Sequence, residues 1–258
     1  MNDIDISLKI ISEPREVATT ATSTVLKIDV VAPPASYNKV ETVLTLDVYG
    51  KQKELFSAAT EGALMQLHDA SLRYDVENKK FYLQGGRPQW VDESAPILNR
   101  VVLAGRCIKD LDLSDTRVFK QLSTGLVVCN QTLSVPTGKK KSDLFNFYAM
   151  SDASTGGFNT AELIANRTRK GTPITLKGML VTDGWTDKRS GDYRTNSKIC
   201  VNKVDIHEYP DNAKPAAAPP QTSQRPEHKV WRADPWTKTP GPSEVLTETA
   251  NYSTSDPF

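Results

Sequence analysis

The stretch Asn99-Arg-Val-Val-Leu-Ala-Gly-Arg-Cys-Ile-Lys-Asp110 decides how the chain is read. Its apolar residues favour strands and stop at the turn-forming Asp110-Leu-Asp-Leu-Ser114, so the stretch reads as a β-strand. Downstream, Gly125–Val135 and Leu144–Met150 read as two more strands, separated by Pro136-Thr-Gly-Lys-Lys-Lys-Ser142, a turn or flexible loop. Asn159 stands three residues before Glu162, a capping-box spacing that predicts a short helix. Leu163 and Ile164 give that helix an apolar face, and Lys170-Gly171 ends it. Ile174–Val181 and Thr195–Ile206 are the last two strands, joined by a polar loop carrying Trp185 and Tyr193. The order is three strands, one helix, two strands.

Upstream the same order recurs. Ile6–Ile11, Val25–Val31 and Val43–Tyr49 are strand-like. The last places Leu44, Leu46 and Val48 on one face and Val43, Thr45, Asp47 and Tyr49 on the other. Leu55, Ala59, Ala63 and Leu67, at spacing four, predict a helix. Leu72–Val76 and Phe81–Leu83 then flank a turn at Asn78. Duplication of one unit explains the recurrence; two unrelated small β-rich domains are the other explanation.

The apolar fraction of 38% is low, since about 45–50% is usual for packed domains. Residues 209–258 contribute to the shortfall: they hold nine of the 16 prolines and are otherwise mostly small or polar. Such a segment buries too little apolar surface to offset the entropy of ordering, and it reads as a disordered tail. A second break falls at 86–97, where Gly86, Pro88, Pro96 and charges interrupt the pattern, and its part 91–97 reads as a linker. The expected organisation is therefore 1–90, a linker at 91–97, a domain at 98–208 and the tail at 209–258.

Charge divides along the same lines. The net value of +1 for 258 residues argues against a nucleic-acid binder only until it is split. Residues 1–97 carry 10 basic and 14 acidic side chains, 98–208 carry 17 and 11, and 209–258 carry 5 and 6. Salt screens charge over about 8 Å, so a ligand at the middle segment meets its surplus of six and not the total of the chain.

No run approaches the ~18 apolar residues of a membrane span. The acidic start Met1-Asn-Asp-Ile-Asp5 lacks the plan of a signal peptide. Cys107, Cys129 and Cys200 are too few and too scattered for a disulfide framework and fit buried small hydrophobes. His68, His207 and His228 do not approach them at metal-ligand spacing, so neither a metal nor another cofactor is expected. Gly138-Lys-Lys140 lacks the first glycine of a phosphate loop, because Leu133 stands there. No nucleophile–base pair can be read, so catalysis is not expected. The chain reads as an intracellular, non-enzymatic protein.

The segment 98–208 resembles the bacterial-type single-stranded DNA-binding protein family. Asn99–Asp110 resembles its opening strand, and Arg169-Lys-Gly171 with Leu176-Lys-Gly-Met-Leu180 its basic turn and following strand. Gly184-Trp-Thr-Asp-Lys-Arg-Ser-Gly-Asp-Tyr-Arg-Thr195 resembles its long hairpin, and Ser255-Asp-Pro-Phe258 its acidic C-terminal tip. The resemblance implies an OB barrel, five strands in a Greek key with a helix between the third and fourth. With the recurrence, the expected fold is mainly β: two tandem OB-like barrels, each with one short helix, and a disordered tail.

The implied function is sequence-independent binding and protection of single-stranded DNA in replication, recombination and repair, in the cytoplasm at the nucleoid. Such a site needs cations for phosphates and flat aromatic faces for bases. The cations are Arg106, Lys139, Lys140, Lys141, Arg167, Arg169, Lys170, Lys188, Arg189 and Arg194. The aromatics are Trp185, Tyr193, Phe147 and Tyr148, with Leu144 and Met150 standing where family members carry stacking rings. Alternation puts Phe145 and Phe147 on one face and Tyr148 on the other. Tyr49, Tyr82 and Trp90 are candidates for a weak second site in the first segment. Asp256, Pro257 and Phe258 would dock on replication, recombination and repair proteins, and Trp231 and Trp236 leave room for a second partner segment. Four barrels per assembly would make the chain a homodimer, or a tetramer if only the second barrel assembles. An OB protein-interaction scaffold, as in a primosome-like or mobile-element accessory, and an RNA binder remain the other readings.

Overall fold

The computed structural model describes residues 1–20, 23–36, 39–138, 141–152 and 159–207. The first half contains β1 (Asn2–Ile10), β2 (Arg15–Thr20), β3 (Ser23–Ala32), β4 (Thr42–Tyr49), a 3-10 helix (Gly50–Phe56), β5 (Leu64–Asp75), β6 (Lys80–Gln84) and β7 (Arg87–Val91). The second contains β8 (Asn99–Cys107), β9 (Phe119–Gln121), β10 (Leu126–Gly138), β11 (Lys141–Asp152), α1 (Thr160–Arg167), β12 (Pro173–Thr186) and β13 (Tyr193–Ile206). The tail expected at 209–258, with Asp256, Pro257 and Phe258, lies outside the described residues, as do Lys139 and Lys140.

The ladders close into two five-stranded barrels with the same connectivity. In the first, β1 pairs β3, β3 pairs β4, β4 runs parallel to β6, β6 pairs β5 and β5 returns to β1. In the second, β8, β10, β11, β13 and β12 repeat that circuit, with β11 parallel to β13. This is the OB topology expected from the sequence. The barrels meet edge to edge: β1 pairs antiparallel with β8, from Asn2 opposite Leu103 to Ile6 opposite Asn99.

The seam has approximate two-fold symmetry, and its details repeat across it. Asn2 Nδ2 donates to the Leu72 carbonyl at 2.5 Å while its Oδ1 accepts the Leu72 N–H at 3.0 Å. Asn99 does the same for Leu180, at 2.8 and 2.9 Å. Each amide thus satisfies the backbone of the fourth barrel strand where the ladder leaves it unpaired. The short outer strands match too, β2 on β3 and β9 on β10. These correspondences favour duplication over coincidence.

Alternation builds the core. Leu44, Leu46 and Val48 face inward on β4, as do Val127, Cys129, Leu133 and Val135 on β10. Gly178 sits where β12 presses on β13; a Cβ there would lie 2.1 Å from the Cys200 carbonyl oxygen, so no side chain fits. One buried cluster runs through both barrels. The start of β11 reaches the first barrel, where Asp143 Oδ2 lies 2.7 Å from Arg73 Nε. Phe145 stacks on Phe81 with ring centres 5.9 Å apart. Residues 92–98 are pinned to the first barrel, Gln66 Nε2 donating to the Pro96 carbonyl at 2.7 Å and Ser7 Oγ accepting the Leu98 N–H at 2.8 Å.

Several local expectations are corrected. The helix predicted from Leu55 to Leu67 does not form: only Gly50–Phe56 is helical, as a 3-10 turn, and Leu67 is buried in β5. The turn predicted at 136–142 is narrower, because β10 runs to Gly138 and β11 starts at Lys141. The α1 helix forms, but the Asn159 side chain makes no capping bond; the Ala161 N–H donates to Ser151 Oγ at 2.9 Å instead. The neighbouring strand supplies the acceptor that the helix was expected to supply itself.

Candidate nucleic-acid interface

The face of β10–β11 that points out of the barrel carries Asn130, Thr132, Leu144, Asn146, Tyr148 and Met150, between inward-facing neighbours. Next to it, Cys200 and Lys198 occupy the same face of β13. Strand parity carries that face up the β12–β13 hairpin to Arg194 and, opposite it, Trp185. Trp185 is 46% exposed. The hairpin strands reach Thr186 and Tyr193, so Trp185 and Tyr193 lie on paired strands and the loop is only Asp187–Asp192. Asp187 holds that tip: its Oδ2 is 3.1 Å from Arg194 Nε and its carbonyl accepts the Gly191 N–H at 2.8 Å.

Tyr193 is 63% exposed but lies on the opposite hairpin face, its ring folded over Gly184 beside Val40. Phe147 is corrected outright. It is 1% exposed, because alternation turns it inward beside Phe145. Tyr148 is half-buried on the outer face; burial, then its hydrogen bond with Cys200, raises its phenol well above the ordinary value. Lys39 of the first barrel sits over the Tyr148 ring, 6.0 Å from its centre, and pairs with Asp183. Sequence reading missed Lys39, whose place here depends on the isolated bridge between Val40 and Thr182.

The predicted cations separate into two groups. Lys188, Arg189 and Arg194 are exposed with Trp185 at the hairpin. Arg106, Arg167, Arg169 and Lys170 gather at the far end of β12, where Arg106 pairs opposite Pro173 and donates to the Gly171 carbonyl at 2.9 Å. About 40 Å of strand divides the groups at ~3.3 Å per residue. Lys141 is exposed at the start of β11.

Between the groups lies a cleft of about 460 Å³ lined by Lys109, Asp115, Arg117, Asn130, Asn146 and Lys198, among others. Three cations face one carboxylate there, and Asp115 is held by Arg117 at 2.9 Å. Lys109 and Lys198 have no ion pair among the described residues. The corresponding groove of the first barrel, about 720 Å³, includes Tyr82 and differs in charge. Its Arg15, Lys27 and Lys80 are matched by Asp47, Asp75 and Glu77. Lys27 is tied to Asp47 at 2.8 Å and Arg15 to Asp29 at 2.6 Å. The Arg15 hydrogen bond outweighs burial and holds Asp29 below the usual carboxylate range. Tyr49 is spent on Asp47, 3.5 Å away, and Trp90 lies on β7 opposite Met65.

Burial pushes all three thiols up, Cys129 to about 11. A native chain should therefore give no fast reaction with a disulfide reagent at pH 8, and three equivalents after denaturation. A rapidly reacting native thiol would contradict the packing.

Together, a second OB barrel with an exposed tryptophan hairpin and a cation-rich outer face defines an OB-fold protein with a polyanion-compatible groove. The model of the single-strand binding protein family matches residues 98–207. Single-stranded DNA-binding protein 2 of Nostoc sp. is 32% identical over 111 residues, 42% of this chain and 77% of that protein. Single-stranded DNA-binding protein 1 of Synechocystis sp. is 34% identical over 109 residues, 42% of this chain and 83% of that one. The chain belongs to the single-strand binding protein family. Its fold is similar to the crystal structure of wild-type single-stranded DNA binding protein from Thermus aquaticus, with a TM-score of 0.59, 17% identity, and coverage of 81% of this chain and 94% of that one. A deletion variant of the same protein gives a TM-score of 0.60 at 15% identity, covering 82% and 98%. Among the described residues no helix is long and apolar enough to cross a membrane.

Proposed function

We propose that this chain binds single-stranded DNA without sequence requirement, in replication, recombination and repair, through the outer face of its second barrel. The observation that carries this is parity: Trp185, Arg194, Lys198 and Tyr148 fall on one strand face, beside a cleft whose cations outnumber its carboxylates. Phosphates meet Lys109, Lys198, Arg194, Lys188 and Arg189, and a base stacks on Trp185. The cations at Arg106, Arg167, Arg169 and Lys170 guide the strand at the other end of β12. The first barrel, whose groove cations are matched by carboxylates, serves mainly to build and brace the assembly.

The same reading gives the chain two barrels per subunit and a homodimer with four. Asp256, Pro257 and Phe258 recruit other replication and repair proteins, Phe258 as an apolar anchor and the carboxylates as steering charges.

The test is a fluorescence titration of the full chain with oligo-dT at several salt concentrations, with mass measured in solution. Counterion release predicts a log–log slope of about −0.7 per phosphate neutralised, so ~−3.5 for five cations. A flat salt response, or no binding, would remove the proposal. Full-length protein is required, because separating the halves would bare β8 and the Phe81–Phe145 contact.

A further inference from the structure

Resting on that reading, we infer that the cleft on β10–β11 grips one nucleobase by its hydrogen-bonding edge, through Asn146 and Asn130, rather than by stacking. The residues facing out around it are poor stacking partners: Leu144, Met150, Thr132 and the two asparagines, with Tyr148 covered on one side by Lys39. They are, however, organised for hydrogen bonding.

Each amide is half used, and the halves left over are complementary. Asn146 Oδ1 accepts from Thr132 Oγ1 at 2.8 Å, which leaves both Nδ2 hydrogens to be donated. Asn130 Nδ2 donates to the Arg117 carbonyl at 3.0 Å, which leaves its Oδ1 to accept. Among the described residues neither leftover atom has another partner. Thr132 stands directly opposite Asn146 and Asn130 opposite Tyr148, so the two amides are diagonal neighbours across the ladder. Diagonal neighbours lie about 7–8 Å apart at the backbone, a separation that side chains converging from both strands can close on one base edge. On its Watson–Crick edge, open in a single strand, every nucleobase presents a donor beside an acceptor.

The wall of the cleft is also fixed in advance. Gln131 spends its amide on the Lys109 carbonyl at 3.1 Å and on the Thr132 N–H at 2.9 Å, so it holds the strand and the start of the β8–β9 connection in place. Asp115, inside the cleft and bound to Arg117, repels a phosphate but not a base. Lys109 and Lys198 remain for the phosphates on either side of that base.

Binding should therefore depend on a base being present at this subsite, which pure backbone contact would not require. The probes are oligo-dT and an abasic strand of equal length, titrated into the full chain at fixed salt. For Asn146→Ala, oligo-dT affinity should fall about threefold to tenfold, the range for one or two lost hydrogen bonds, while abasic-strand affinity stays unchanged. Thr132→Val, which frees the Asn146 amide to rotate, should shift oligo-dT alone, by less. Melting temperatures of both variants should match the parent, since Asn146 is exposed. Equal losses on both strands, or no loss on oligo-dT, would overturn the base-edge subsite while leaving single-strand binding intact. Failure of the parent chain to bind either strand would overturn the functional reading beneath it.

Discussion

Replacing Phe145 with alanine will destabilise the chain by about 3–5 kcal/mol, and both barrels will feel it. Phe145 is fully buried in the second barrel, yet its ring stacks on Phe81 of the first. Phe81 in turn meets Tyr74 edge-to-face at 5.4 Å. Two residues earlier, Asp143 accepts from Arg73 Nε at 2.7 Å and from the Tyr74 N–H at 3.3 Å. The truncation therefore opens a cavity at a crossing of the two barrels, where neither can collapse alone. Urea unfolding should show one transition, moved to lower urea and coincident by far-ultraviolet dichroism and tryptophan fluorescence. Two separated transitions, with only one of them shifted, would mean that the barrels fold independently and that the shared core contributes little.

This coupling was the least legible feature of the sequence. Strands with clean alternation could be read directly: Val43–Tyr49 became β4, one residue longer at its start, and Gly125–Val135 became β10, which starts at Leu126 and runs on to Gly138. The pairing of β1 with β8 joins residues almost a hundred positions apart, and no local pattern announces such a partner. Asn2 and Asn99 look like ordinary polar residues until the structure shows each satisfying a leucine backbone.

The misread helix has a specific cause. A spacing of four is close to one helical turn, but it is also twice the strand period, so Ala63 and Leu67 fitted both patterns. The positive φ of Gly62 turns the chain out of the helical path and into β5. β7 was hidden because it lies inside the stretch 86–97, whose Gly86, Pro88, Pro96 and charges read as a break. It continues the line of β6 along β5, His68 standing opposite Arg87 and Ser71 opposite Gln84, with Pro88 tolerated because β7 is an edge. At the candidate site, the hairpin aromatics and cations were visible as composition. Which aromatic faced where was not: Phe147 turned inward and Tyr193 turned to the far side, each as strand parity requires once the register is known. Parity also exposes Asn130 and Asn146, which composition alone gave no reason to choose.

Trp185→Ala should weaken oligo-dT binding by about 1–3 kcal/mol, the usual contribution of one stacked base, or roughly 5- to 150-fold in Kd. The indole is held out by its ladder position opposite Arg194, and the Asp187–Arg194 pair stiffens the strand ends behind it. A base that stacks there brings its phosphate near Arg194, Lys188 and Arg189, so aromatic and ionic contacts reinforce each other at one place. Tyr193→Ala is the internal control. Its ring lies on the other hairpin face against Gly184, so its loss should change affinity much less. The salt slope should survive in both variants, because neither removes a cation. The tryptophan quench on titration should shrink in Trp185→Ala alone, against the constant background of Trp90, Trp231 and Trp236. If Tyr193→Ala proves the more damaging, the strand runs over the opposite face of the hairpin, beside Val40, and the path across β10, β11 and β13 is wrong.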